Sequence, residues 1–456
     1  MYIGNNTKPN IILINCDDLG YGDLGCYGST VNKTPVLDKM ASDGLKLTSF
    51  YMASPLCSPS RGAMMTGCYP PRIGFGSFEG QGVLFPGQGV GLNPNEKTIA
   101  SVLKEAGYAT MLVGKWHCGD QKEFLPRQHG FDHYYGLPYS NDMGRQSGNR
   151  SDYPPLPLLL DDEVIQEQPD QASLTERYVE QGVRFIRNNK DKPFFLYLAH
   201  MHVHLPLYAP EKFMKQSQNG AYGAAVETID WSTGVILDEL KRQGVDHNTL
   251  VVFTSDNGSR GDNGGSNAPL RGTKRTTWEG GQRVPCIMYW PGKITAGTES
   301  NEIVSSLDFY KTFAHLANAK VPDDRVIDGL DLTDMVFSGE PSPRDTFYYY
   351  FMNNLEAVRV GDWKLHLRKE NSEVQELYNL AKDNAENINL YVHYPEIVEE
   401  LAKKAVRCRD DIGDEVLGIV GKNIRPKAVV ENPSPLTHFS PDHPYMFALY
   451  DKEDFG

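Results

Sequence analysis

Two pairs of adjacent oxygen-bearing side chains suggest chemistry: Asp17-Asp18 in "NIILINCDDLG" and Asp256-Asn257 in "LVVFTSDNG". Each pair closes a short apolar run. Three carboxylates and an amide converging from distant positions suit a hard cation such as Ca2+ or Mg2+. One such pair reads equally well as helix capping after a strand, whereas two at the ends of two strands favour a metal. Cations follow the same pattern. "GKWHCG" places Lys115 and His117 two residues apart, pointing the same way if the chain is extended. "HMHVHLP" offers His200, His202 and His204, of which one is expected to be functional and two structural. "LRGTKRTTWEGGQRVP" sets Lys274 in a glycine-punctuated loop. With Arg61, these residues would form a cationic pocket around a metal. A chain of net charge −14 needs such a local site if its substrate is an anion.

A thiol lies in "LCSPSRGAMMTG", residues 56–67. On packing grounds alone Ser58 would cap a helix, Pro59 would take its first position, and Cys57 would be a small buried hydrophobe. A chemical role for Cys57 depends on the rest of the chain.

Five apolar runs read as buried strands: 10–15, 109–115, 193–200, 249–256 and 285–290. Between them, 172–188 carries Leu174, Tyr178, Phe185 and Ile186 on one helical face, and 224–243 behaves similarly. Apolar strands alternating with helices imply a largely parallel sheet covered on both sides, with ligands at the carboxyl ends of its strands. After about residue 345 the pattern alternates apolar and polar, as in an antiparallel sheet with one wet face. The expected division is therefore 1–345 and 346–456, with a helix from Pro395 towards Cys408. Residues 425–450 are too rich in proline for regular structure and too aromatic for a free tail. They are expected to pack on the body or on a neighbouring subunit.

The negative charge argues against nucleic acid or an anionic membrane as partner. Seven cysteines, an odd count without a CxxC pair, fit reduced thiols better than a disulfide framework. The first 20 residues lack a basic stretch followed by a long apolar one, and no run reaches the roughly 18 apolar residues of a membrane span. A cytoplasmic location is expected, or export if a leader has been removed.

"CSPSRGAMMTG" resembles the first signature of the type I sulfatases, Cys-x-Pro-Ser-Arg followed after three residues by a large apolar residue, Thr and Gly. "GKWHCG" resembles the second. The Asp-Asp pair, the Asp-Asn-Gly, the His-x-Pro and the lysine in a Gly-rich loop occur in the family's order. The resemblance covers about residues 8–335, and more weakly "GDWKL" and "ELYNL", and it is similar to the arylsulfatase and N-acetylgalactosamine-6-sulfatase branch. It implies an alkaline-phosphatase-like α/β fold, a mostly parallel sheet sandwiched by helices, with a smaller C-terminal antiparallel-sheet subdomain.

The resemblance further implies that a formylglycine-generating enzyme oxidises Cys57 to formylglycine. Its hydrated aldehyde attacks sulfur, and its second hydroxyl lets the sulfated form collapse by elimination. Asp17, Asp18, Asp256, Asn257 and residue 57 would hold one cation, Ca2+ or alternatively Mg2+. Arg61 would orient the hydrate, and Lys115 and Lys274 would grip the sulfate. His204 with Lys274 would protonate the leaving alcohol, and His117 would take the proton that drives elimination. Ser140 and Asp142 would contact substrate. Trp116, Arg145, Arg271, Trp278 and Arg283 are candidates for an outer pocket or for scaffold. The implied substrate is an aryl sulfate or a sulfated sugar such as 6-O-sulfated N-acetylgalactosamine, with a homo-oligomer left open. The alternatives are a phosphatase or phosphodiesterase of the same superfamily, and a non-catalytic sulfated-sugar binding protein should Cys57 remain a thiol.

Overall fold

The computed structural model describes residues 8–145, 153–369 and 372–445. The start of the N-terminal stretch (1–7) and the end of the aromatic tail (446–456) lie outside the described residues. The principal sheet has ten strands: β1 (Asn10–Cys16), β2 (Leu45–Leu47), β3 (Ala109–Gly114), β4 (His133–Gly136), β5 (Pro157–Leu160), β6 (Glu163–Glu167), β7 (Phe194–Ala199), β8 (Thr249–Ser255), β9 (Cys286–Tyr289) and β10 (Thr298–Ser300). Their order is β10-β2-β9-β8-β1-β7-β3-β4-β5-β6. The central five, β8 to β4, are mutually parallel. β9 and β5 flank them antiparallel.

Alternation within β1 shows why the sheet needs cover on both faces. Ile11 and Leu13 enter one core, while Ile12 and Ile14 enter the other. The first core is closed by α1 (Cys57–Thr66) through Met64 and Met65. The second is closed by α2 (Leu174–Asn189) and α3 (Gly220–Arg242), which bury the expected face Leu174, Tyr178, Phe185 and Ile186 beneath Ile229, Ile236 and Leu240.

α1 starts two residues earlier than the packing reading expects. Leu56 is extended and its carbonyl accepts the Ser60 N–H at 3.0 Å, so the first turn already contains Cys57. Ser58 is therefore not the cap. Its hydroxyl accepts the Leu84 N–H at 3.1 Å instead, and Pro59 occupies a first-turn position that needs no donor.

A second sheet begins at residue 346: β11 (Thr346–Phe351), β12 (Asn354–Val360), β13 (Trp363–Lys369) and β14 (Ser372–Asn379) form an antiparallel meander. α4 (Pro395–Ile412) covers it through Leu401, Ala405, Cys408 and Ile412. The proline-rich stretch then returns to the large domain. Ala428–Val429 pair with Val90–Gly91, Thr437 donates to the Pro155 carbonyl, and the Arg145 guanidinium stacks 3.5 Å above the Phe439 ring. All cysteines are free thiols. Among the described residues, no helix is long and apolar enough to cross a membrane.

Candidate active site

The sheet register brings the two oxygen pairs together. β1 and β8 are neighbours with Cys16 opposite Ser255, so Asp17-Asp18 and Asp256-Asn257 leave adjacent strands at the same level. β3 and β7 end side by side in the same way, with Gly114 opposite Ala199. Gly114 adopts a φ of 112°, and a Cβ there would lie 1.8 Å from the Ala199 carbonyl oxygen, so glycine is required where the chain turns towards the site. Lys115 then donates to Asp17 and, at 2.9 Å, to Ser140 Oγ.

Cys57 enters from the N-terminus of α1. Its thiol lies 3.4 Å from Asp17 Oδ1, and ligand atoms of Asp17, Asp18, Cys57 and Asp256 all fall within 4.8 Å of one another. One turn later Arg61 donates from Nε to Asp256 Oδ2 at 2.8 Å and from Nη1 to the Lys115 carbonyl at 2.8 Å. Lys274 donates to Asp18 Oδ2 at 2.9 Å, its own N–H fastened to the Ser259 carbonyl. His204 Nδ1 lies 2.6 Å from the Leu205 carbonyl, which can only accept, so Nδ1 carries hydrogen. His204 Nε2 faces Ser140 Oγ at 3.5 Å and Asp18 Oδ2 at 3.9 Å.

The sulfatase family profile matches residues 9–319, and the C-terminal profile of N-sulphoglucosamine sulphohydrolase matches residues 272–411. The chain belongs to the sulfatase family. It is 42% identical to N-acetylgalactosamine-6-sulfatase of Rattus norvegicus over 379 residues, 80% of this chain and 72% of that one. It is 38% identical to an arylsulfatase of Hemicentrotus pulcherrimus over 388 residues, 82% of this chain and 70% of that one. The crystal structure of Ps i-CgsB in complex with k-i-k-neocarrahexaose is 32% identical and aligns with a TM-score of 0.79, covering 88% of this chain and 92% of that one. The enzyme is accordingly a sulfuric ester hydrolase.

Two observations in this sulfatase bear on a cation. The donors are carboxylate and amide oxygens, and Asn257 Oδ1 is buried without a hydrogen-bond partner among the described residues even though its amide nitrogen donates to Asp18 at 2.7 Å. A buried acceptor left unpaired costs about 1–3 kcal/mol unless something else satisfies it. The charges also interlock. Burial alone would raise the Asp17 carboxyl, but Lys115, followed by His204, Arg61 and Lys274, holds it well below the usual range. Burial, together with the Asp17 charge, pushes Asp256 up to about 7. Burial and Asp17 likewise push the Cys57 thiol well up, which makes an unmodified thiol a poor nucleophile. Burial and Lys274 lower His204.

Other candidates separate by position. His200 is structural, with Nε2 3.0 Å from Ser232 Oγ, and the His202 carbonyl accepts the Asp17 N–H. Asp142 is buried beside His204, whose imidazole feels its charge. His117 does not extend alongside Lys115. Its φ of 60° turns it back, and Nε2 meets the Leu84 carbonyl at 3.0 Å. Trp116 is fully buried, its indole donating to the Phe124 carbonyl, and Arg283 is enclosed by Thr48 and Glu279, so neither lines an outer pocket. Arg271 stacks on Trp278 at 3.7 Å, and Trp278 in turn packs on His366 of the second sheet. Sequence reasoning missed Asn267, which accepts the Ser259 N–H and donates to the Ser259 and Gly272 carbonyls, fixing the Lys274 loop. An asparagine inside a Gly/Ser-rich loop was the available signal. It also missed Leu84, which acts through its backbone and leaves no side-chain signal.

Proposed function

We propose that this sulfatase hydrolyses the sulfate monoester of a short saccharide, with residue 57 converted to formylglycine and one divalent cation, Ca2+ or Mg2+, held by Asp17, Asp18, Asp256 and Asn257. The observation that carries this reading is the position of Cys57. It begins a helix, faces the carboxylate cluster, and lies beside Asp17 at 3.4 Å. Formylglycine supplies a hydrated aldehyde as nucleophile, and the cation supplies positive charge against the diol and sulfate oxygens.

The chain's own groups account for the rest. The buried carboxylates Asp17, Asp18 and Asp256 are matched by Arg61, Lys115 and Lys274, so a divalent cation leaves surplus positive charge for a sulfate. Lys115 and Lys274 approach from opposite carboxylates, Asp17 and Asp18, and grip sulfate oxygens between them. Arg61 orients the nucleophile from one helical turn below. His204 Nε2 is the atom at which the proton for the leaving alcohol is held, beside Lys274 and Ser140. His117 receives the proton given up when sulfate is released. Water is largely excluded, because Asp17, Arg61 and Lys115 are fully buried while Lys274 keeps 8% exposure towards solvent.

A sugar is favoured by the names of the relatives, one an N-acetylgalactosamine-6-sulfatase and one solved with a neocarrahexaose. The net charge of −14 repels a long polyanion and favours short saccharides. The test is mass spectrometry of the tryptic peptide 47–61 from active protein, followed by a screen of sulfated sugars and aryl sulfates. Replacement of the thiol by an aldehyde oxygen is the expected result. Full activity with an unmodified thiol throughout would sink the nucleophile assignment.

A further inference from the structure

His117 is buried just beyond β3, and its two ring nitrogens have different surroundings. Nε2 meets the Leu84 carbonyl at 3.0 Å, whereas Nδ1 is buried with no hydrogen-bond partner among the described residues. A carbonyl only accepts, so the neutral ring carries its hydrogen on Nε2 and keeps a free lone pair on Nδ1. Leu84 is gripped on its N-terminal side as well, its N–H donating to Ser58 Oγ next to residue 57.

Little regular structure supports Leu84 locally, since between residues 79 and 91 only the two-residue strand Val90–Gly91 is regular. The support comes from more than 300 residues away in the sequence. Ala428–Val429 pair with Val90–Gly91, and the Val430 N–H donates to the Gly89 carbonyl at 2.8 Å. Pro433 and Pro435 lie so close to Gly89 and Gly87 that a Cβ at either glycine would come within 3.0 and 3.1 Å of a proline ring. On the other flank of His117, Gln121 accepts the Ser434 N–H at 3.1 Å and donates to the Ser434 carbonyl at 3.0 Å. Gln121 also donates to Asp120 Oδ1, while Asp120 Oδ2 accepts the Gly87 N–H at 2.6 Å. Residues 428–435 thus tie together the segments before and after the histidine, through Gly89–Gly91 on one side and Gln121 on the other.

We propose that residues 428–435 are a positioning strap for His117, fixing the Leu84 carbonyl so that the imidazole is held as the Nε2–H tautomer with Nδ1 as its proton-accepting atom. The catalytic consequence rests on the reading of His117 as the base in the proposed reaction. The tautomer does not.

Two variants of the full chain test it, Gln121→Ala and Val430→Pro, both outside the reacting groups. The first removes both bonds to Ser434, and the second removes the N–H that holds Gly89. In 15N-histidine spectra, with His117→Ala identifying the resonance, the wild type is expected to show Nε2–H alone and both variants a mixture of tautomers. With an aryl sulfate, kcat should fall by about 10- to 100-fold while KM stays within about twofold, as misplacement of a reacting group predicts. A wild-type Nδ1–H tautomer, or variants with an unmixed Nε2–H signal and unchanged kcat, would overturn the strap. Mixed tautomers with unchanged kcat would establish the strap and instead remove His117 from the role of base.

Discussion

Two clusters of buried charge lie on either side of the residue 271–282 loop, and they differ in what remains unpaired. In the second cluster Glu279 Oε1 accepts from Tyr349 OH at 2.8 Å and Lys364 at 2.9 Å, and its Oε2 accepts from Tyr51 OH. Glu386 completes it with the Glu279 N–H at 2.7 Å on one oxygen and His366 at 2.6 Å on the other. Each carboxylate oxygen there has a protein partner, as it has in the first cluster, and among the second cluster's groups only His366 Nδ1 lacks a hydrogen bond within the described residues. In the first cluster Asn257 Oδ1 and Arg61 Nη2 lack a hydrogen-bond partner among the described residues, Arg61 Nη2 lying 3.8 Å from Asp17 Oδ2, and a thiol faces the carboxylates. Buried ionic groups therefore do not by themselves mark an active site, since the second cluster joins the C-terminal sheet to the large domain. An unfilled amide oxygen and an unfilled guanidinium nitrogen beside a thiol distinguish the first.

Substitutions should separate the clusters sharply. Cys57→Ala is expected to abolish turnover of an aryl sulfate while the thermal midpoint stays near that of wild type. Lys115→Ala and His204→Ala should each lower kcat by about 10²- to 10⁴-fold, the range for single electrostatic or proton-transfer groups. Near-normal rates in any of the three would mean that the reacting groups lie elsewhere.

Cation removal has a more specific signature, read in activity and in stability together. Treatment with a chelator should remove activity, and readdition of Ca2+ or Mg2+ should restore it and raise the melting temperature. At a cation concentration 100-fold above Kd, linkage gives about 2.7 kcal/mol of stabilisation. Asn257→Ala should weaken this response, whereas a change at Glu279 should leave it intact. A melting temperature and activity both indifferent to chelator and cation would exclude the proposed metal role.

Much of the first cluster is legible in the sequence, because each parallel strand is a continuous apolar run that ends on the residues it presents. "NIILINC" leads straight into Asp17-Asp18, and "TLVVFTS" leads into Asp256-Asn257. The second cluster is not legible. Glu279 follows Trp278 in an ordinary Glu-Gly-Gly stretch, and its partners Tyr51, Tyr349 and Lys364 come from three separate strands or strand-like segments. The same limit explains Trp116 and Arg283, whose residue types suit a pocket but whose burial depends on packing of distant elements. Ser58 shows a subtler failure. It has the chemistry of a cap, yet helix closure by the Leu56 carbonyl shifts the start and frees its hydroxyl for Leu84.

The finest distinction between the clusters is a pH dependence of stability without one of chemistry. Burial disfavours ionisation of Glu279, but Lys364, then Arg283 and Arg359, hold its carboxyl well below the usual range, while burial and the Glu279 charge push Glu386 up. A depressed folded-state value means that Glu279 contributes stability above the unfolded glutamate value, about 4.3, and loses it as pH falls towards the folded one. Glu279→Gln leaves Lys364 and Arg283 with reduced compensation, so it should cost about 3–5 kcal/mol between pH 6 and 8. Below about pH 4 that gap between variant and wild type should narrow, as read from denaturant unfolding across the pH series. At a temperature where the variant stays folded, its kcat/KM for an aryl sulfate should match that of wild type. A variant of unchanged stability that loses turnover would place Glu279 in the catalytic machinery, and the distinction between the two clusters would fail.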